Sequence, residues 1–303
     1  MSAIRQGTAP GRDVLVGTGA AIAASFGLGM AVALARFAFE GGTNGLTVAA
    51  GRVLLMGFGL LLFCWLSGRR LRLSRRDRWH CLGLGCLMSM MAYGNIAAVQ
   101  YISIGLTALL FYTFPPIIAA IHLFVLRERM PSGKLMAVLV AFLGLCLMLG
   151  VSLDQTDPRG IALALLAAVC CAWNAVWIQR RIAHVDPFVA ATYMSISAFA
   201  IIAALTVGFD AFDLPDTASG WWGSFGVALC QSLSMPLYFL AIFRIGAMQA
   251  SMWNNIQPVI SIMAAWLIFT ELLALPQFLG GSLVLGGIVL MQWSDMRSRR
   301  RQA

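Results

Sequence analysis

The chain has 303 residues, of which 60% are hydrophobic and only 11% charged, and its mean hydropathy is +0.84. A soluble domain of this size needs far more charge to cover its surface. A net charge of +9 would point to nucleic acid in a soluble protein, but here the basic residues fall in short segments between apolar runs. That is the pattern of a polytopic α-helical membrane protein.

Apolar runs of bilayer-crossing length predict spans near residues 14–35, 46–67, 79–99, 104–126, 133–152, 160–181, 188–208, 220–241, 247–269 and 276–294. The first run follows Arg5 and Arg12 and contains Ala33-Leu34-Ala35, which resembles a signal-peptide cleavage site. It is too long for a signal core, and further spans follow, so it is read as a span. Its Ala21, Ser25, Gly29 and Ala33 recur every four residues, a small-residue face that lets another helix approach closely. Arg36 and Glu40 sit four apart at the far end of this span, and Arg52 lies about two turns into the next. An arginine at that depth is costly and is usually paired. Glu40 is a candidate partner. The alternative is an electropositive outer mouth built from Arg36, Glu40 and Arg52 that draws in anions.

Orientation follows from the basic residues. With the N-terminus inside, all Lys and Arg except Arg36, Arg52 and Arg159 fall on the cytoplasmic side, as the positive-inside rule requires. The other side carries Asp154, Asp157, Asp210, Asp213 and Asp216. Both termini are therefore expected in the cytoplasm.

The chain also reads as one unit written twice. Val48-Ala49-Ala50 returns as Val189-Ala190-Ala191, and Ile104-Gly105 as Ile245-Gly246. Pro115 and Pro258 each lie thirteen residues before a glutamate, Glu128 and Glu271. Five spans per unit is an odd number, so the second copy enters from the opposite side, the symmetry of many secondary transporters. The fold expected is an all-α polytopic membrane protein, with ten transmembrane helices in two inverted five-helix repeats. The expected divisions are a cytoplasmic N-terminus over 1–13, repeats over 14–152 and 160–294, and a basic cytoplasmic tail over 295–303.

Ten spans in two halves resemble the drug/metabolite transporter superfamily, EamA type. The resemblance rests on Pro115, Glu128 and Pro131 in one half and Pro258, Glu271 and Pro276 in the other. Arg52 resembles the arginine often found in the second span of that family, and Tyr193 stands in its place in the second half. The resemblance implies a transporter of small metabolites, with a central cavity lined by spans 1, 3, 4, 6, 8 and 9.

Polar and aromatic groups inside apolar helices mark candidates for that cavity. In span 9, Ser251, Asn254, Gln257 and Ser261 share one face. Carboxamides find no water in hydrocarbon, so this face meets either protein or a wet cavity; interhelical hydrogen bonding is the competing role. Pro258 frees the Asn254 carbonyl. Span 6 offers Trp173, Asn174 and Trp177, whose indoles either stack on a ligand or fill space. Span 8 adds Gln231 and Tyr238, span 3 adds Tyr93, Asn95 and Gln100, and Tyr112 of span 4 corresponds to Asn255. His122 stands alone, as a helix-contact residue or a proton site.

No His, Cys and carboxylate spacing suits a metal, the seven cysteines all fall in apolar runs, and no phosphate-binding glycine loop is present. Neither a metal nor another cofactor is expected, and no catalytic set is found. The function indicated is a secondary transporter, an exporter or exchanger of a small polar or amphipathic metabolite across the cytoplasmic membrane. A membrane-embedded receptor or enzyme using the same cavity is the second class. The implied partners are a small-molecule substrate and the lipid bilayer, with no nucleic acid. Oligomeric state has no signature here.

Overall fold

A computed structural model describes residues 11–128, 130–150, 157–269 and 274–300, excluding the side chains of residues 11–12, 269 and 295–300. Arg5, Arg129, Asp154 and Glu271 lie outside the described residues. The described secondary structure is helical, without strands. The helices are α1 (Gly11–Glu40), α2 (Gly45–Leu66), α3 (Arg75–Ala98), α4 (Ile104–Phe111) and α5 (Phe114–Ala120). After a π-helical turn over Ile121–Val125 come α6 (Ser132–Leu149), α7 (Pro158–Arg181) and α8 (Pro187–Gly208). Helices α9 (Ala218–Ile245), α10 (Ala247–Asn254), α11 (Ile256–Phe269) and α12 (Leu275–Arg300) complete the order.

Among the described residues, nine helical segments are long and apolar enough to cross a membrane, the stretch from α4 through the π-helical turn counting as one. The run expected as a continuous span over 247–269 is instead the pair α10 and α11, separated at Asn255. Proline explains the break. Pro258 has no N–H for the Asn254 carbonyl, so the helix ends and restarts around it. Pro115 does the same in the first half, where α4 ends at Phe111 with Tyr112 as its cap and α5 begins at Phe114. In both halves the cap residue stands three positions before the proline, which matches Tyr112 with Asn255.

Local capping sets the other ends. Asn44, Ser74, Ser103, Asp157, Asp186 and Thr217 each accept a backbone N–H in the first turn of the helix that follows, which satisfies donors that hydrocarbon cannot. Gly246 adopts φ 85° between α9 and α10, a conformation glycine takes without strain. The following N–H, that of Ala247, donates to Gln179 Oε1 at 2.9 Å.

Packing runs mostly between the halves. Helix α1 lies along α9 and meets α10 and α11; α7 lies along α3 and meets α4 and α5. Helix α2 packs on α8 and α9, α3 packs on α8, and α6 pairs with α12. Exchanging the halves turns the first two relationships into one another.

Small residues permit this closeness. The stripe on α1 is buried where it includes Ala21, Ser25 and Ala33, and Ser25 Oγ donates to the Trp253 carbonyl at 3.1 Å. A Cβ at Gly29 would stand 2.7 Å from the Gln257 carbonyl oxygen and 2.8 Å from Ile260. A Cβ at Gly144 would meet the Gly280 carbonyl oxygen at 2.7 Å, fixing the approach of α6 to α12. Gly83 of α3, by contrast, faces open space.

Gly29→Val should therefore destabilise the folded protein by about 1–3 kcal/mol through overpacking. Gly83→Ala should leave stability unchanged or raise it by up to about 1 kcal/mol. Thermal unfolding of the two purified variants in detergent checks both, and equal midpoints would contradict the close α1–α11 contact.

Candidate functional site

The helix ends separate two faces. One carries the arginine-rich α2–α3 connection, Arg127, Lys134, Arg180, Arg181 and Arg244; the other carries Asp157, Asp210, Asp213 and Asp216. A cavity of about 630 Å³ lies among α1, α2, α3, α4, α7, α9, α10 and α11, and it reaches the second face at Phe39, Gly45, Val99, Ile104 and Leu149. Its deeper wall includes Tyr112, Asn174, Tyr238 and Asn254.

The two helix breaks contribute Tyr112 and Asn254 to this wall, joined by Gln257, Pro258 and Ser261 of α11. Asn254 Nδ2 donates to Gln257 Oε1 over a long 3.4 Å, while Asn254 Oδ1 has no partner among the described residues. Asn174 lines the cavity and also anchors its helix, donating to the Leu84 carbonyl at 2.8 Å. The Tyr238 hydroxyl and Thr107 Oγ1 are buried without hydrogen-bond partners among the described residues. Gln231, Asn95 and Arg52 complete the polar lining. The remaining lining is apolar and rich in methionine: Met56, Met88, Met91 and Met235, side chains that adapt to irregular shapes.

Several residues singled out from sequence lie elsewhere. Tyr93 stacks on Phe209 with centroids 6.2 Å apart, away from the cavity lining. Trp173 is 37% exposed and meets Trp177 edge-on at 6.4 Å. Trp177 in turn packs edge-on against His80 at 5.8 Å, and neither indole lines the cavity. Ser251 turns its hydroxyl back to the Met248 carbonyl. Arg36 pairs with Glu40 at 2.9 Å on an exposed surface, so the partner expected for Arg52 is engaged on its own helix. Thr107 and the methionines went unnoticed in the sequence. The spacing of Thr107 and Phe111, one turn apart and both on the cavity, was a usable signal for the former.

Toward the arginine-rich face the halves are tied by charge. Arg69 pairs with Asp186, Arg180 with Glu128 and Arg244 with Asp13, and His184 Nε2 meets Asp77 Oδ1 at 3.1 Å. The Arg69 guanidinium also stacks over Phe188 at 4.8 Å. His122 is buried and its Nδ1 donates to Glu128 Oε2 at 2.7 Å, a contact within the segment that follows α5. Tyr193 donates to the Leu71 carbonyl at 2.9 Å on the same face. The opposite end is joined by other means. Thr43 Oγ1 donates to the Asp213 carbonyl at 2.7 Å, and Asn44 Nδ2 donates to the Ala211 carbonyl at 2.8 Å and Asp213 Oδ2 at 2.7 Å.

Among the described residues, no group of three or more His, Cys, Asp or Glu side chains is placed to hold a metal ion.

A cavity between two sets of membrane-length helices, floored by broken helices and tied at its far end by charges across the halves, defines a polytopic membrane protein of transporter type. Residues 15–150 and 158–293 each match the EamA-like transporter family, and the chain belongs to that family, within the drug/metabolite transporter superfamily. A Bacillus subtilis (strain 168) protein described as "Uncharacterized transporter YoaV" is 25% identical over 223 residues, spanning 72% of this chain and 75% of that one. A solved structure described as "Crystal structure of protein" superposes with a TM-score of 0.77, covering 93% of this chain and 98% of that chain at 18% identity. That likeness is one of fold. The protein is a multi-pass membrane transporter.

The Glu128 contacts give a pH prediction. Burial opposes ionisation of Glu128, but hydrogen bonds from Arg180 and His122 outweigh it and hold the carboxyl below its ordinary value of 4.5. A depressed folded-state pKa stabilises fully above the ordinary value and loses that contribution as pH falls through the depressed one. Glu128→Gln should therefore lower stability by about 1–3 kcal/mol near pH 7. The difference from wild type should close as pH falls below 4.5. Thermal midpoints measured across that range check it; a gap that stays constant with pH would show that ionisation of Glu128 is not what stabilises the fold.

Proposed function

We propose that this transporter is a secondary exporter or exchanger of a small polar or amphipathic metabolite, working by alternating access in the cytoplasmic membrane. Its moving parts are two inverted five-helix repeats, residues 14–152 and 160–294, counting the broken α10–α11 pair as one of ten crossings. The observation that carries this reading is the cavity itself. It reaches one face between the halves, while ion pairs across the halves tie them at the other. The exchange of contacts between α1–α9 and α7–α3, and the paired breaks at Tyr112 and Asn255, support the inverted relationship. Rocking one half against the other would then open one end as it closes the other.

In this reading the arginine-rich face is cytoplasmic and both termini lie there, supported by the bias of basic residues. The structure is then the outward-open form. The substrate sits at Asn254, Gln257, Asn174, Tyr112, Gln231 and Tyr238. Trp173, Trp177 and Tyr93 lie outside this substrate site, the two indoles in ring contact with each other, Trp177 with His80 and Tyr93 with Phe209.

Three outcomes test the proposal. Purified protein in sealed vesicles should give protein-dependent flux for some member of a panel of labelled amino acids, organic acids, amines and nucleosides; flux equal to that of empty vesicles throughout would overturn it. Asn254→Ala and Gln257→Ala should each reduce apparent affinity by up to about tenfold, the worth of one hydrogen bond to a neutral partner, with little change in thermal midpoint. A destabilised protein with unchanged flux per folded molecule would make the stripe interhelical instead. In intact cells, a cysteine at Arg72 should resist an impermeant thiol reagent while one at Asp213 reacts; the reverse would invert the orientation.

A further inference from the structure

Arg52 is the cavity's anomaly. Among the described lining residues it is the only charged one. No described carboxylate pairs with its guanidinium, and Glu40 is held by Arg36 at 2.9 Å. Its recorded polar contact is through the backbone, where the Arg52 carbonyl accepts from Ser232 Oγ at 3.4 Å. An arginine within a membrane span is retained where it faces a partner or a water-filled site. Here it faces the site.

Two further polar groups of the lining complete a pattern. Among the described residues, Thr107 Oγ1 and the Tyr238 hydroxyl have no hydrogen-bond partner, on side chains 5% and 7% exposed that line the same cavity. An anionic oxygen would serve the cation and either hydroxyl, while the partnerless Asn254 Oδ1 on the same wall calls for a donor elsewhere on the ligand. No described lining residue offers a carboxylate to a cationic ligand, and Arg52 repels one, so discrimination is built in by charge. One cation balances one negative charge; a second would be left unpaired in a low-dielectric site. The methionine-rich remainder suits an apolar body, and about 630 Å³ holds a small molecule.

We propose that the cavity is selective for organic monoanions, a carboxylate or sulfonate head facing Arg52 with Thr107 and Tyr238 donating to it, on an aliphatic or aromatic body packed against the methionines. This rests on reading the cavity as the substrate site, and narrows the substrate to one charge class.

Matched probes test it with the purified full-length protein. 3-Phenylpropionate and p-toluenesulfonate carry the anion; 3-phenylpropionamide and 3-phenylpropylamine keep the body but are neutral and cationic. Titrated against the thermal midpoint at pH 7.5, the two anions should stabilise saturably, with the amide and amine at least about tenfold weaker. Arg52→Gln should weaken anion binding by about 10- to 100-fold while leaving the amide unaffected, and Arg52→Lys should recover part of the loss. Should Arg52→Gln fail to fold, Thr107→Val and Tyr238→Phe keep the charge and should each weaken the anions by about three- to tenfold. Anions that bind no better than the amide, or that bind Arg52→Gln as well as wild type, overturn the proposal, as does the absence of binding by every probe. Flux of the same probes in vesicles separates the two readings. Anion-selective binding without flux supports the charge class and refutes transport. Flux of the amide or amine that survives Arg52→Gln supports transport and refutes the charge class.

Discussion

Hydrocarbon offers no hydrogen-bond partner, and most of this architecture follows from that one constraint. Backbone groups must be satisfied within helices, so every crossing is helical, and six of the helix starts carry side-chain caps. Irregular backbone at depth is tolerated only where protein or a cavity surrounds it. The chain breaks its spans at Tyr112 and Asn255, and both breaks lie inside the bundle: Tyr112 is 6% exposed and Asn255 2%. Tyr112 and Asn254 beside those breaks form part of the cavity wall. The same physics that forbids a break elsewhere concentrates the polar groups at one place.

The second constraint is the absence of a hydrophobic drive between helices in lipid. Association then depends on close packing and on whatever polar contacts can be made. Glycine and alanine supply the first at α1–α11 and α6–α12. Asn174, Ser25 and Ser197 supply the second by donating to carbonyls of neighbouring helices. Asn174 both lines the cavity and holds α7 to α3, so its side chain belongs to the wall and to the scaffold at once.

Span positions were legible because bilayer thickness sets the length of an apolar run, and every expected span overlaps an observed helical segment. The proline breaks were legible too, since Pro115 and Pro258 cannot accept a continuous hydrogen-bond ladder. Rotation about each helix axis was harder to read. In a soluble helix the polar face identifies itself, but here lipid-facing and cavity-facing sides are both apolar. Asn254, Gln257 and Ser261 could be phased because carboxamides and a hydroxyl mark one side of the chain across the α10–α11 break. Trp173, Trp177 and Tyr93 could not, because an aromatic ring suits lipid, core and ligand equally. The methionines were invisible because a flexible apolar side chain suits lipid, core and ligand alike, and Thr107 was marked only by its spacing from Phe111. Arg52 was conspicuous, yet its lack of a described carboxylate partner emerged only once Arg36 was seen to hold Glu40.

The two ends of the molecule are fastened by different forces. Partly exposed ion pairs tie the arginine-rich end, whereas the far end is joined largely by hydrogen bonds to backbone carbonyls, with Asn44 reaching Asp213 as well. Dissolved ions screen charges over about 8 Å at physiological ionic strength and barely touch a hydrogen bond between neutral groups. Salt therefore acts on this protein with a direction. Raising it in the compartment that bathes the arginine-rich end loosens the fastening there, while the same concentration on the other side leaves the opposite fastening almost as it was.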